Sequence, residues 1–400
     1  MATSTAQQYR LIPLSLQDEG DGHIVGNPET GDFYKVPEIG VSILRMLDSG
    51  ESIAEIKCRL GDEAELVDVD TFVTQMAEIG FIHPKGEMPL PQQRAQTSGG
   101  RIFNVDQRLA RAIFSRPLLA GYLAIVVYAF VAAVRDPALR LNTDALYVEH
   151  DRTLLLVLVL AFASVQTVLH ELGHMLAAAR HGITSRYGIG NRLWTIVAES
   201  DLTGILALPR AQRYLPMLAG MLVDVLSLSL LTIALDVLRR HGAGAFCIQV
   251  IQVMVLETVI GLVWQFNVFV KTDIYFVLCN YFGQPDLDRD ARSYLHGVVY
   301  RMTFGHFGRA WPKTESNLLV LRVFAMVWAA GRIMSLVLLF TVFLPTMWQY
   351  LGSAADMLRG PPTSVYAACD TIIYVSILLT MLTAGMYMWL RHRPVKEAGQ

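Results

Sequence analysis

Residues 165–181 read VQTVLHELGHMLAAARH and contain His170-Glu171-Leu172-Gly173-His174, an H-E-x-x-H pentad. The stretch before it, 153–162, is TLLLVLVLAF, and no charge appears between Arg152 and His170. The pentad therefore lies in what reads as a membrane helix. On a helix, positions four apart share a face, so the rings of His170 and His174 can bind one Zn²⁺. Glu171 sits about 100° round the axis, where a carboxylate acts on water instead of ligating the metal. Setting an acid into such a segment costs about 2.5–3.5 kcal/mol on insertion scales. That cost argues against two core histidines and a glutamate falling at this spacing by chance.

The rest of the chain agrees with a membrane setting. Of its 400 residues 53% are hydrophobic and only 17% charged, against about 25% charged in soluble proteins. This is the balance of a polytopic α-helical membrane protein. The net charge of −2 comes without a basic tract, which excludes a nucleic-acid partner. Cys58, Cys247, Cys279 and Cys369 are scattered and form no C-x-x-C pair, so they predict neither a disulfide framework nor a zinc knuckle. The first hundred residues lack an apolar core segment, which predicts no cleavable signal peptide.

Six apolar spans are expected at about 117–134, 153–179, 213–238, 244–266, 318–344 and 366–390, each near the ~20 residues a bilayer needs. Arg180, Arg186, Arg192, Arg210 and Arg213 follow the second span, Lys271 to Lys313 the fourth, and Arg391, Arg393 and Lys396 the last. The opposite loops are short or balanced in sign. Positive-inside then puts both termini in the cytoplasm, with the pentad a short way below that surface. The loop 183–208 alternates around Gly188 and Gly190, as a strand pair or re-entrant segment beside the site does. Asp224, Glu257, Arg332 and Asp370 are also intramembrane, and Arg332 is expected to neutralise Glu257 or Asp370.

Ahead of the membrane part, residues 1–90 read as a soluble α+β domain of winged-helix-like character. Residues 9–14, 23–27 and 32–36 are strand-like, with Asn27-Pro28-Glu29-Thr30-Gly31 as a turn. Three helices follow. The first carries Val41, Ile43, Leu44 and Leu47; Ser52 and Glu55 form a capping box for the second; Asp70 is read as the cap of the third, with Phe72, Val73, Met76 and Ile79 as its stripe. Residues 91–112 are a linker, announced by the run KGEMPLPQQRAQTSGG, and 113–395 form the membrane domain.

A hairpin and three short helices around VGNPETGDFYKV resemble the PQQ-biosynthesis protein D fold, the peptide-recognition element of enzymes that mature ribosomally made peptides. The resemblance implies a groove between 32–36 and 72–76 in which a leader peptide adds as a strand. A winged-helix structural cap is the alternative.

A catalytic zinc takes three protein ligands and one water. Asp273, in WQFNVFVKTDIYFVL at the end of the fourth span, is the candidate third ligand, since its apolar neighbours give a carboxylate no other purpose. The pentad, followed about a hundred residues on by Asn267 and Asp273, resembles the site-2 protease family of intramembrane zinc metalloproteases. The similarity is greatest to its bacterial branch of peptide zinc metalloproteases. There N-P-x-x-x-x-D-G-Y-Y precedes a short helix and P-x-L. Asn267, Asp273, Tyr275, Phe276, Pro285 and Leu287 fill the matching places, with Val268 for proline and Ile274 for glycine. Leu218-Ala219-Gly220-Met221 resembles the family's A-G-P helix start.

The resemblance implies one zinc per chain on His170, His174 and Asp273, with Glu171 as the base and Asn267 bonding the substrate backbone or oxyanion. It implies an integral protein of the bacterial inner membrane, a zinc endopeptidase in contact with lipid and fed a leader-bearing peptide. A peptide exporter or modifying enzyme is then a further partner. Two other classes compete. A catalytically silent receptor or scaffold would present a peptide to such a partner, but predicts loss of Glu171 or a ligand. A transporter predicts internal repeats, and none is visible.

Overall fold

The computed structural model describes residues 8–20, 22–28, 31–61, 63, 67–85, 101–103, 105–146, 151–192, 195–284, 287–305, 318–359 and 365–391. Pro285 and half of the expected linker, residues 91–100 and 104, lie outside them.

The N-terminal domain carries two small antiparallel sheets. Strands β1 (Tyr9–Leu11) and β5 (Ile82–Pro84) form one; β2 (Ser15–Asp18), β3 (His23–Asn27) and β4 (Asp32–Val36) form the other, in that order, leaving β4 at an edge. The sequence suggests one strand over 9–14. Pro13, which has no N–H for a ladder, divides the chain there, so that β1 pairs with β5 and β2 with β3. Three helices cover the sheets: α1 (Glu38–Asp48), α2 (Ile53–Leu60) and α3 (Val69–Glu78). Val41, Ile43, Leu44, Leu47, Val73 and Met76 are buried, as their helical spacing predicts. The Ser52/Glu55 capping box is present. The cap of α3 is Asp68, whose side chain accepts from the Thr71 N–H. Asp70 falls inside the first turn and pairs with Lys57 of α2.

Arg101–Phe103 form strand β6, which pairs with β7 (Ser185–Arg192), itself paired with β8 (Thr195–Asp201). The expected linker thus ends inside a sheet, and helix α4 (Gln107–Ile113), capped by Asp106, already belongs to the second half. Gln107 Nε2 donates to the Arg180 carbonyl.

Among the described residues, five helical stretches are long and apolar enough to cross a membrane: α5 (Arg116–Arg135), α6 (Arg152–Ala179), Arg210–Arg240 containing α7 (Tyr214–Arg240), α8 (Ala245–Trp264), and Leu318–Gln349. The last joins α11 (Leu318–Leu338), a π turn at Leu339–Phe343 and the start of α12 (Leu344–Arg359). The sixth expected span coincides with α13 (Val365–Arg391), of which Val365–Met381 is a shorter apolar helix. Helix α5 leaves Leu123 and Phe130 more than 60% exposed, a surface that only apolar surroundings favour. Two shorter helices, α9 (Asp273–Phe282) and α10 (Leu287–Met302), separate α8 from α11.

Helix α7 is central, packing on α5, α6, α8 and α9. It approaches α6 closely because both present small residues: a Cβ on Gly173 would stand 2.9 Å from the Ala219 carbonyl. Asp370 of α13 accepts from the N–H groups of Arg152 and Thr153 and so caps α6 from outside. The Arg332 guanidinium, expected beside Glu257 or Asp370, lies 4.8 Å over the Trp328 ring. The N-terminal domain is seated on this bundle. Glu19 pairs with Arg213 at 2.7 Å with both side chains under 5% exposed, Gln17 donates to the Ala207 carbonyl, and Lys35 to the Gly283 carbonyl.

Candidate metal centre

Helix α6 places Gln166, His170 and His174 one turn apart on a single face, a polar stripe on an apolar helix. That face meets α7. His174 Nδ1 lies 2.7 Å from the Pro216 carbonyl, and a carbonyl only accepts, so Nδ1 carries the proton. His170 Nδ1 lies 2.7 Å from Asp224 Oδ2, while Gln166 Nε2 donates to Asp224 Oδ1 at 2.7 Å. With Nδ1 thus engaged, each ring turns its Nε2 lone pair to the same point.

The third group at that point comes from α9. Asp273 begins this helix, and its N–H donates to Gln265 Oε1 at the end of α8. Asp273 Oδ2 stands 3.0 Å from His170 Nε2 and 3.2 Å from His174 Nε2, and the two Nε2 atoms are 3.2 Å apart. Three acceptor atoms this close repel unless a proton or a cation lies among them. Tetrahedral zinc at about 2.0–2.1 Å holds its ligand atoms about 3.3–3.4 Å apart, so the triangle suits it after a slight opening. Gly220 makes the room: a Cβ there would fall 2.5 Å from His170 Nε2 and closer still to His174 Nε2.

Glu171 points into the same cavity from the next position round α6. Its Oε2 accepts from the backbone N–H of Ser200 at 2.8 Å and from the Ser200 hydroxyl at 2.7 Å, so β8 holds the carboxylate. The cavity measures about 780 Å³ and is walled by α6, α7, α8, the end of β8, the turn Thr203–Ala207 and Asp273. Asn267 is elsewhere. It is fully buried, its Oδ1 accepts from the Ser335 hydroxyl of α11 at 2.8 Å, and it does not line the cavity. In this position it pins the turn between α8 and α9 against α11, and Gly331 leaves room for it.

Of the residues singled out from sequence, His170, Glu171, His174 and Asp273 converge and Asn267 does not. Sequence reasoning missed the supporting roles of Asp224 and Ser200. Asp224 carried a signal, an acid in an apolar span, but nothing local ties it to a histidine 54 positions away. Ser200 carried none. Gln166, four before His170 on the same helical face, was missed as well.

Comparison with protein-family models, with curated proteins and with solved structures gives no match. The geometry of the site therefore carries the functional reading.

Proposed function

We propose that this chain is an intramembrane zinc endopeptidase acting on a membrane-associated peptide, with both termini in the cytoplasm of a bacterial cell and α13 as its sixth span. One observation carries the reading: two imidazoles with fixed tautomers and a carboxylate aim three acceptor atoms at one point, and a glutamate that ligates nothing faces the same cavity. The donor set, two nitrogens and one oxygen with a side left open, is that of a hydrolytic zinc site and not of a closed structural one.

His170, His174 and Asp273 would hold the zinc, which when bound supplies a Lewis acid that polarises the scissile carbonyl and acidifies water. Asp224 and the Pro216 carbonyl orient the two rings. Glu171 takes a proton from the attacking water and passes it to the leaving amide nitrogen, the double role a general base plays in peptide hydrolysis. Ser200 keeps the Glu171 carboxylate directed into the cavity. Strand β8 lies at the edge of its sheet, where an extended substrate can pair, and only an extended segment exposes its peptide bond to attack. In the N-terminal domain β4 is likewise an edge strand, and a leader peptide pairing with it brings its core segment near the membrane site.

The test uses the full chain in detergent and in liposomes, with zinc measured by elemental analysis and turnover on a quenched transmembrane peptide. One zinc per chain is expected, with cleavage lost in Glu171→Gln while the metal stays. Full turnover in Glu171→Gln, or a protein that takes up no zinc, refutes the reading.

A further inference from the structure

Five carboxylates line the cavity: Glu171, Asp201, Asp224, Glu257 and Asp273. Four have partners inside the protein. Glu171 is held by Ser200, Asp201 accepts from Thr203, Asp224 from Gln166 and His170, and Asp273 faces the two imidazoles. Glu257 is different. Its Oε2 is buried with no hydrogen-bond partner among the described residues, and no lysine or arginine is among the residues that line the cavity. A buried carboxylate oxygen left without a donor costs several kcal/mol as an order of magnitude, and folded proteins almost always supply one.

The helix that carries it shows where a donor could enter. Glu257, Gly261 and Trp264 follow at helical spacing along the cavity face of α8, and Gln265 next to them bonds Asp273. A Cβ on Gly261 would meet nothing within 4 Å, so the space is open between the two ends. From Gln265 to Glu257 the helix descends about 12 Å at 1.5 Å per residue. An extended peptide covers that in about four residues, and fewer when a long side chain spans part of it.

We propose that Glu257 is a specificity-determining residue, and that the deep end of the cavity receives a lysine or arginine side chain of the peptide, a few positions from the scissile bond. The assignment rests on the peptidase reading and names its substrate class. The aliphatic stem of such a side chain lies along the apolar wall, and its cation reaches the Glu257 carboxylate, whose Oε2 has no donor among the described residues.

The experiment measures binding and cleavage separately. Fluorescein-labelled synthetic peptides share one apolar twelve-residue frame, with Lys, Gln or Glu placed at each position in turn. Their binding to the full zinc-loaded chain in detergent is read by anisotropy in the Glu171→Gln background. At one or two adjacent positions Lys should bind at least about tenfold more tightly than Gln. Glu257→Gln should erase that ratio, and Glu257→Lys should transfer the preference to Glu. The inference is overturned if no position favours Lys, or if the Lys-to-Gln ratio survives in Glu257→Gln, whose isosteric side chain keeps the fold. Cleavage of the same peptides is followed with Glu171 intact. Charge preference without cleavage sinks the peptidase reading and keeps the subsite, whereas cleavage without charge preference does the reverse.

Discussion

Substituting Gly220 by alanine tests the metal centre at its tightest point. The new Cβ would stand 2.5 Å from His170 Nε2 and nearer to His174 Nε2. Ordinary contacts between such atoms begin near 3.5 Å, so about 1 Å of displacement is needed. The rings cannot swing freely, because each Nδ1 is tied at 2.7 Å, one to Asp224 and one to the Pro216 carbonyl. The helices have no slack to tilt or rotate into each other, because they already touch at Gly173 and Ala219. Overpacking of this kind costs about 1–3 kcal/mol, and ligand distances tolerate only about 0.2 Å. Zinc affinity should fall about 5- to 150-fold. The assay is competition with a chromophoric chelator on the purified full chain, with size exclusion to show that it is folded. Gly173→Ala is the comparator: its Cβ would meet Val223 and the Ala219 backbone, so it should lower Tm and weaken zinc binding less. Unchanged affinity in a folded Gly220→Ala protein would refute the placement of the two Nε2 atoms.

Asp224→Asn removes the carboxylate that orients His170, and zinc affinity should fall about 10- to 100-fold by chelator competition while the chain stays folded. Ser200→Ala leaves the backbone N–H to Glu171 and removes only the hydroxyl; kcat should fall several-fold with zinc content unchanged, and an equal loss of zinc would contradict the role assigned to it. Glu19→Gln leaves the Arg213 guanidinium buried without its counter-charge, a loss of about 3–5 kcal/mol. It should lower the Tm of the full chain, and pairing it with Arg213→Met should recover part of the loss in a double-mutant cycle.

Much of the architecture was legible because its causes are local. Apolar runs of bilayer length marked the helices, and the spacing of Val41, Leu44 and Leu47 marked a buried face. Where boundaries slipped, a competing local signal had been overlooked. Pro13 divides the first strand, and Asp68 outranks Asp70 as a cap because its side chain reaches the Thr71 N–H. The register of Arg101–Phe103 against β7 could not be read, since its partner lies some eighty residues away.

The chain by itself determined that two histidines share a helical face, that Glu171 stands beside them, and that this face lies in an apolar segment. Those follow from the 3.6-residue period and from the cost of burying charge. Tertiary structure alone decided which distant carboxylate orients a ring and which closes the triangle, because Asp224 and Asp273 reach His170 only through the packing of α7 and α9. It also turned Asn267 away from the cavity and onto Ser335, and left the Glu257 Oε2 without a donor among the described residues. Such pairings depend on how helices rotate against one another, and close approach at Gly173 and Gly220 settles that rotation for α6 and α7.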